Sequence, residues 1–363
     1  MLKKLLILIT GSTLCLFSSC KEEATFLIKV KLDNLKGENV YAVFEADDRK
    51  WVDTLFNDGS GELTVTQTQA DYRTLTLYFE NQTQWITVYL EPHKKITLKG
   101  DILYPQLVKV KGGKTNEWLS GFHEKAAALL KERTDLSKAM HGAQEKLRDE
   151  HISRWANINQ ELCQQAETFI RKHPGEEASA ILIREYLSDP ETPLRTEAFL
   201  ALLNPELDDF HVVKELKASN EKAKLTMKGA AAPDFSVLNI NRVHFNKNSF
   251  SNRYCILAFV HNEHQTRELL LDEIVTTYPD DSLSVMLISL DESPQQVREQ
   301  VRKDTIPWNI VTDSAGQAIG MIDLYNVNRL PLCYLIDKEG NIRLKTENGI
   351  ELEQVLSELM TGK

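Results

Sequence analysis

The spacing of apolar residues changes twice along this chain of 363 residues and divides it into three segments. Between Phe26 and about Gly112, apolar and polar residues alternate with a period of two, and clusters of turn-forming residues separate the runs. Alternation of this kind is typical of short strands with one buried face. It predicts an antiparallel β-sandwich or small barrel over 26–112.

The two later segments have different periods. Apolar residues at helical spacing predict a helical connector over 113–228, in which Asn116 caps the first helix and Pro174 ends a longer one. From Gly229 onward, strand runs alternate with helical runs and end in a hairpin and a closing helix. This order predicts an α/β layer architecture over 229–363. The predicted fold class is therefore α+β multidomain.

The N-terminal segment predicts export. Two lysines precede the apolar run Leu5–Phe17, which is shorter than the about 20 residues that a membrane-spanning helix needs. This favours a signal peptide over 1–19. Two serines directly before Cys20 are typical of a lipoprotein signal, so we expect lipidation of Cys20 and a lipid-anchored tether over 20–25. The expected location is the cell envelope, on the periplasmic face or the cell surface of the outer membrane, with contact to the membrane through this lipid only. An ordinary signal peptide with a coincidental cysteine is the alternative.

Charge and cysteine usage exclude two classes of protein. The net charge of −10 at pH 7 argues against nucleic acid as a partner, because phosphate contacts need clustered cations. After removal of the signal and lipidation of Cys20, three widely spaced cysteines remain, at 163, 255 and 333. They contain no Cys-x-x-Cys pair, so no disulfide framework is predicted.

Segments of the last third stand in the order and spacing found in one family. They are Gly229–Phe235, Ile256–Phe259, Ile288–Glu292 followed by Pro307-Trp308, and Tyr325–Val327 followed by Leu330-Pro331 and Leu335–Gly340. Residues 229–363 thereby resemble the thioredoxin fold, in its membrane-tethered thiol–disulfide interchange branch and the related thiol-specific antioxidant branch. The resemblance implies a cis peptide bond before Pro331 and a helix whose first turn holds His264.

The first domain carries a second resemblance. It is similar to the domain of unknown function that precedes thioredoxin domains in many envelope lipoproteins. The segments that match are Trp51–Leu55 with Asn57–Gly59, Tyr89–Pro92 and Lys111–Asn116.

Thioredoxin chemistry needs a nucleophilic thiolate at a helix N-terminus and a second thiol one turn later. By the resemblance, these two positions hold His264 and Arg267, and no cysteine lies between Cys255 and Cys333. We therefore expect no catalytic residue at this degenerate site, and the pattern favours a protein that is not an enzyme. Cys333 follows Pro331 by two residues, and we expect its side chain to lie in the core. A thiol–disulfide oxidoreductase or thiol peroxidase of reduced activity that uses Cys333 is the alternative.

The resemblance also implies a binding surface. In the family, the surface around the cis-proline loop and the end of the leading strand recognises extended peptide backbone. Here those positions are Leu330, Pro331 and His261. The sequence thus predicts a redox-inactive binding or scaffold module for an envelope protein or extended peptide, without a cofactor. A second alternative is metal or haem handling at His261 and His264, but no metal site is predicted, because two histidines lack a third ligand.

Overall fold

A computed structural model describes residues 26–69, 71–80, 85–140, 145–261, 263–278, 281–290, 309–313 and 316–361. Three segments lie outside these residues: the predicted signal and tether with Cys20, the segment Pro294–Lys303, for which the apolar pattern predicts a helix, and the loop at Pro307-Trp308. The chain divides after Trp155 into two compact units. This division falls inside the segment predicted as the helical connector, and the domain boundaries at 112 and 228 stay predictions.

The first unit begins with strands and continues into helices. Its described elements are β1 (Phe26–Asp33), β2 (Val40–Glu45), β3 (Lys50–Leu55), β4 (Glu62–Gln67), β5 (Thr74–Phe79), β6 (Trp85–Tyr89), β7 (Lys95–Asp101), β8 (Lys109–Lys111), α1 (Lys114–Lys125), α2 (Ala127–Met140) and the start of α3 (Glu145–Lys172). The strands form two sheets, in the orders β4-β1-β7-β8 and β3-β2-β5-β6.

The two sheets share one apolar core. Residues of both sheets, such as Ile28 and Val30 on β1 and Phe44 and Leu75 on the second sheet, belong to a single buried cluster. The predicted β-domain is therefore present as two packed sheets. Its pairing differs at one place, because β1 pairs with β7 in parallel while the other described pairs are antiparallel. After β1 the chain alternates between the two sheets and returns to the first sheet as β4, antiparallel to β1, and later as β7, parallel to it, an order that alternation within strands does not encode.

Asn116 has a different role from the predicted helix cap. Helix α1 starts at Lys114 after Gly113, so Asn116 lies inside the first turn. Its side chain is buried and accepts the backbone N–H of Tyr89 at 2.9 Å. It also donates to the carbonyl oxygen of Tyr89 at 2.7 Å and to that of Gly112 at 2.9 Å. Asn116 thus hydrogen bonds to β6 as a neighbouring strand would and fixes α1 to the sheet.

The second unit contains the rest of α3, the helices that follow it, and a sheet with its covering helices. Its further elements are α4 (Glu177–Leu182), a π-helical turn (Ile183–Leu187), α5 (Pro193–Leu200), α6 (His211–Leu225), β9 (Ser236–Leu238), β10 (His244–Asn246), β11 (Tyr254–Val260), α7 (Glu263–Glu268), α8 (Leu271–Thr277), β12 (Leu283–Ser289), β13 (Asn309–Thr312), α9 (Gln317–Leu324), β14 (Leu332–Ile336), β15 (Ile342–Thr346) and α10 (Gly349–Thr361).

The five-stranded sheet has the order β13-β12-β11-β14-β15. Strands β11, β12 and β13 run parallel, and β14 and β15 are antiparallel to their neighbours. Alternate residues of β11 enter two separate apolar clusters, one on each face of the sheet. A strand covered on both faces reads as a continuous apolar run, and Tyr254–Val260 shows this. The α/β architecture predicted for the last third is confirmed.

The helix predicted after β11 is interrupted. The apolar pattern predicts one helix from His264 to Tyr278, but α7 ends at Glu268 and α8 begins at Leu271. Leu270 between them has a φ of 52°, in the left-handed region. Leu269 is fully buried at this break, so packing against the sheet outweighs helix continuity there. Among the residues described, no helix is long and apolar enough to cross a membrane.

Candidate functional site

The end of β11 and the start of β14 form the candidate site. The two strands are antiparallel, with Ala258 opposite Cys333 and Phe259 opposite Leu332. Continuing this register by one and two residues places Pro331 across from Val260 and Leu330 across from His261. The peptide bond between Leu330 and Pro331 is cis, as predicted. The three predicted binding residues, His261, Leu330 and Pro331, thus meet at one edge of the sheet.

The segment from the end of β11 into α7 contains His264 and Arg267, the two residues that the resemblance aligns with thiol positions. His261 is exposed, and its backbone N–H donates to Oε1 of Gln265 at 2.6 Å, which closes the turn. Helix α7 begins at Glu263, so His264 lies in its first turn, as predicted. Arg267 lies three residues later in the same helix. The side chains of His264 and Arg267 lie outside the described part.

Cys333 is in the sheet and fully buried, which confirms the prediction that it points into the core. Removal from water disfavours the thiolate and raises the pKa of Cys333 far above its usual range. Burial raises the pKa of Cys255 in the same way. Thiol–disulfide exchange requires the thiolate, so neither thiol is in a state suited to that reaction.

The two buried cysteines are also not a disulfide. Both are free, and they pack into the apolar clusters on opposite faces of the sheet. Cys255 stands opposite Ile336 in the β11–β14 register, three positions from Cys333. At about 3.3 Å per residue this offset exceeds the 7 Å or so between Cα atoms that a disulfide tolerates. The remaining described cysteine, Cys163, is half-buried, and its Sγ donates to the carbonyl oxygen of Tyr186 at 2.8 Å.

Three aromatic residues pack together next to the cis-proline loop. The rings of Phe259, Tyr325 and Tyr334 pack with centroids 5.3–6.0 Å apart. The hydroxyl of Tyr334 donates to the carbonyl oxygen of Tyr325 at 2.5 Å, and that of Tyr325 donates to the carbonyl oxygen of Pro233 at 2.9 Å. Burial raises the pKa of both phenols, so they stay protonated and act as donors. Val327 and Leu330 pack against the apolar cluster that contains these three rings, so the loop before Pro331 is seated on it.

A charged cluster borders Pro331 on the side of β15. Arg329 makes ion pairs with Glu347, directly after β15, and with Glu191, from the turn between the π-helical turn and α5. Glu191 also pairs with Lys345 at 2.9 Å, and the side chain of Lys345 is only 6% exposed. We call these four residues the charged rim. No sequence pattern singles out Glu191, because it lies about 140 residues before its partners.

The metal or haem alternative at His261 and His264 is not tested by the structure, since only part of this segment is described. No group of three or more His, Cys, Asp or Glu residues in the described part of the chain could hold a metal ion. The side chain of His264 lies outside that described part.

The strand order, the cis-proline loop facing the end of β11, and the helix that follows define a thioredoxin-like domain. Residues 228–345 match the model of the AhpC/TSA family. The C-terminal part of the chain is thus an AhpC/TSA thioredoxin-like domain, while the match covers less than half of the chain. The comparison with curated proteins finds no match.

Several solved structures are similar to this part of the chain. A thiol-disulfide oxidoreductase from Bacteroides fragilis is 26% identical, with a TM-score of 0.32, over 36% of this chain and 98% of that one. The thioredoxin domain of a thiol-disulfide oxidoreductase from Bacteroides vulgatus is 20% identical, with a TM-score of 0.32, over 36% and 96%. A thioredoxin-like protein from Bacteroides caccae is 19% identical, with a TM-score of 0.40, over 61% and 87%.

Proposed function

We propose that the thioredoxin-like domain binds an extended peptide or protein segment at the surface of His261, Leu330 and Pro331, without catalysing thiol–disulfide exchange. One observation carries this proposal. The two positions for thiols in α7 hold His264 and Arg267, and the cysteines nearest in the fold are buried with a raised pKa. The chain therefore has the cis-proline loop opposite the end of β11, but neither His264 nor Arg267 can form a thiolate.

The geometry of the surface supports binding of extended backbone. Its residues lie where two strands end, so a peptide in strand conformation can approach their backbone without displacing a strand of the sheet. His261 is exposed, Leu330 and Pro331 are half-buried, and the aromatic packing beneath keeps the loop in one shape. A surface that is already ordered binds with less loss of conformational entropy.

The proposal includes a location in the cell envelope with a lipid at Cys20. It rests on the N-terminal sequence, where a positive start and a short apolar run precede Ser-Ser-Cys. Replacing Cys20 by Ala is expected to move the protein from the membrane fraction to the soluble fraction, or to leave the signal uncleaved. Fractionation of cells followed by immunoblotting measures this, with Cys15→Ala as the matched control. If the Cys20→Ala protein has both the distribution and the apparent mass of the unaltered mature protein, the anchor is refuted.

A reductase assay tests the absence of thiol chemistry. With insulin as the disulfide and dithiothreitol as the reductant, the protein is expected to precipitate insulin no faster than dithiothreitol alone. The Cys333→Ser variant is expected to behave identically, because the buried thiol takes no part. The readout is turbidity, and an active thioredoxin serves as the positive control. Turnover that the Cys333→Ser change abolishes would instead establish a residual oxidoreductase that uses Cys333.

A further inference from the structure

The turn that carries Glu191 is ordered by its own side chains. Asp189 accepts the backbone N–H of Glu191 at 2.9 Å with Oδ1 and the hydroxyl of Thr192 at 3.1 Å with Oδ2. The backbone N–H of Asp189 donates to Oγ1 of Thr196 at 3.2 Å, which joins the turn to α5. These bonds restrict the backbone of the turn, so the direction in which Glu191 leaves it is fixed.

The carboxylate of Glu191 joins two parts of the domain. Its Oε1 lies 2.9 Å from Nζ of Lys345 and 3.7 Å from Nη2 of Arg329. Lys345 is held in β15 opposite Tyr334, and its ammonium lies 5.8 Å from the centre of that ring. Because the side chain of Lys345 is nearly inaccessible to water, its pairing with Glu191 is little screened by salt. Glu191 is therefore an anchored carboxylate beside Arg329.

We propose that Glu191 is a positioning residue of the peptide-binding surface, which holds Arg329 and thereby the backbone of Leu330 and Pro331 in the binding conformation. This inference rests on the proposed function. Arg329 directly precedes Leu330, and its guanidinium is paired on one side by Glu191 and on the other by Glu347. Two carboxylates restrict the side chain of Arg329 more than one does, and this also limits the backbone of Leu330 and Pro331. The helices before the domain thus contribute to the shape of its binding surface.

A purely structural role for Glu191 is the competing explanation. Loss of the carboxylate would leave Lys345 buried without its anion and would weaken the attachment of the 188–192 turn to β15. That effect passes through Lys345 and is independent of Arg329. If Glu191 positions the binding surface, it acts on that surface by way of Arg329. The effect of replacing Glu191 on binding should then disappear once Arg329 is also replaced. A double-mutant cycle between residues 191 and 329 separates the two.

The probe is reduced and carboxamidomethylated α-lactalbumin, a chain that stays permanently unfolded. The readout is the dissociation constant of its complex with the full-length protein, measured by fluorescence anisotropy. Glu191→Gln is expected to weaken binding roughly tenfold, within the range that residues outside a site exert on it. In an Arg329→Gln background the same change is expected to have no further effect. Glu206→Gln, an exposed glutamate in the same helical segment, is the matched control and should leave binding unchanged.

Hydrogen exchange in the free protein makes the inference testable without the probe. Glu191→Gln, but not Glu206→Gln, should accelerate exchange of the backbone amides of residues 329, 330 and 332 roughly tenfold, and Arg329→Gln should remove this difference. If the unaltered protein does not bind the probe, the proposed function is wrong. If it binds and the effect of Glu191→Gln is the same with and without Arg329, the positioning role is wrong. Unchanged exchange at residues 329, 330 and 332 would overturn it as well.

Discussion

Pulse alkylation of the native protein with iodoacetamide is expected to label Cys255 and Cys333 at least about a thousandfold more slowly than an exposed thiol of the same domain. Both side chains are buried, and the reagent reaches them only when the domain opens, which costs about 5 kcal/mol or more for global unfolding and less for local opening. Burial also raises the pKa of each thiol, so the fraction of reactive thiolate is small even before access is considered.

The comparison for this experiment is a Ser251→Cys variant, because Ser251 is exposed in the same domain. Labelling is followed residue by residue by mass spectrometry of peptides, and denatured protein gives the unprotected rate. Raising the pH from 7 to 9 should accelerate the reaction at position 251, and Cys255 and Cys333 should still react far more slowly than position 251 at both pH values. Rapid native labelling of Cys333 would mean that a thiolate is available near Pro331, and the binding-only function would then be abandoned.

The same raised pKa values determine how stability depends on pH. In the unfolded chain both thiols ionise above pH about 8.5, whereas in the folded domain they keep their protons. Above this pH the unfolded state therefore binds fewer protons than the folded state. The contribution of Cys255 and Cys333 to the free energy of unfolding is fully present below that pH and falls as the pH rises further.

The features that follow from local patterns were predictable from the sequence. The alternation of Phe26–Leu32 predicts a half-buried strand, the apolar run Tyr254–Val260 predicts a strand covered on both faces, and both are observed. Cys333 belongs to the apolar run Leu332–Ile336, which forms a strand buried on both faces, so its side chain lies in the core on whichever face it points. In each case the information lies within a few consecutive residues.

The features that depend on partners distant in the chain were not predictable in this way. Asn116 is a typical helix cap by its residue type, yet its partner is the backbone of Tyr89, which only the fold brings near. Glu191 lies in an ordinary turn, and its structural role depends on its ion pairs with Lys345 and Arg329. The break at Leu270 likewise depends on the packing of Leu269 against the sheet and on the close approach of Gly349 in α10, which helical periodicity does not report. The roles of these residues are set by tertiary contacts, and a single sequence does not show which distant residues contact each other.

Replacing Gly349 by alanine is expected to lower the free energy of unfolding of the second unit by about 3 kcal/mol. Gly349 is the first residue of α10 and meets the backbone at the break between α7 and α8. A Cβ atom there would lie 2.5 Å from the carbonyl carbon of Leu269 and 2.7 Å from the carbonyl oxygen of Glu268. These are main-chain atoms, so the clash cannot be relieved by a change of rotamer, and α10 or the helix break must move. Since α7 carries the turn beside His261, binding should weaken as well.

Gly320→Ala is the matched control for this prediction. Gly320 lies within α9 of the same unit, and a Cβ atom there would meet nothing within 4 Å. Alanine is the better helix former, so this change should raise stability by up to about 1 kcal/mol. Urea unfolding followed by circular dichroism compares the two variants with the unaltered protein. If Gly349→Ala and Gly320→Ala shift the midpoint equally, α10 does not approach the helix break closely, and the break is then not held in place by the closing helix.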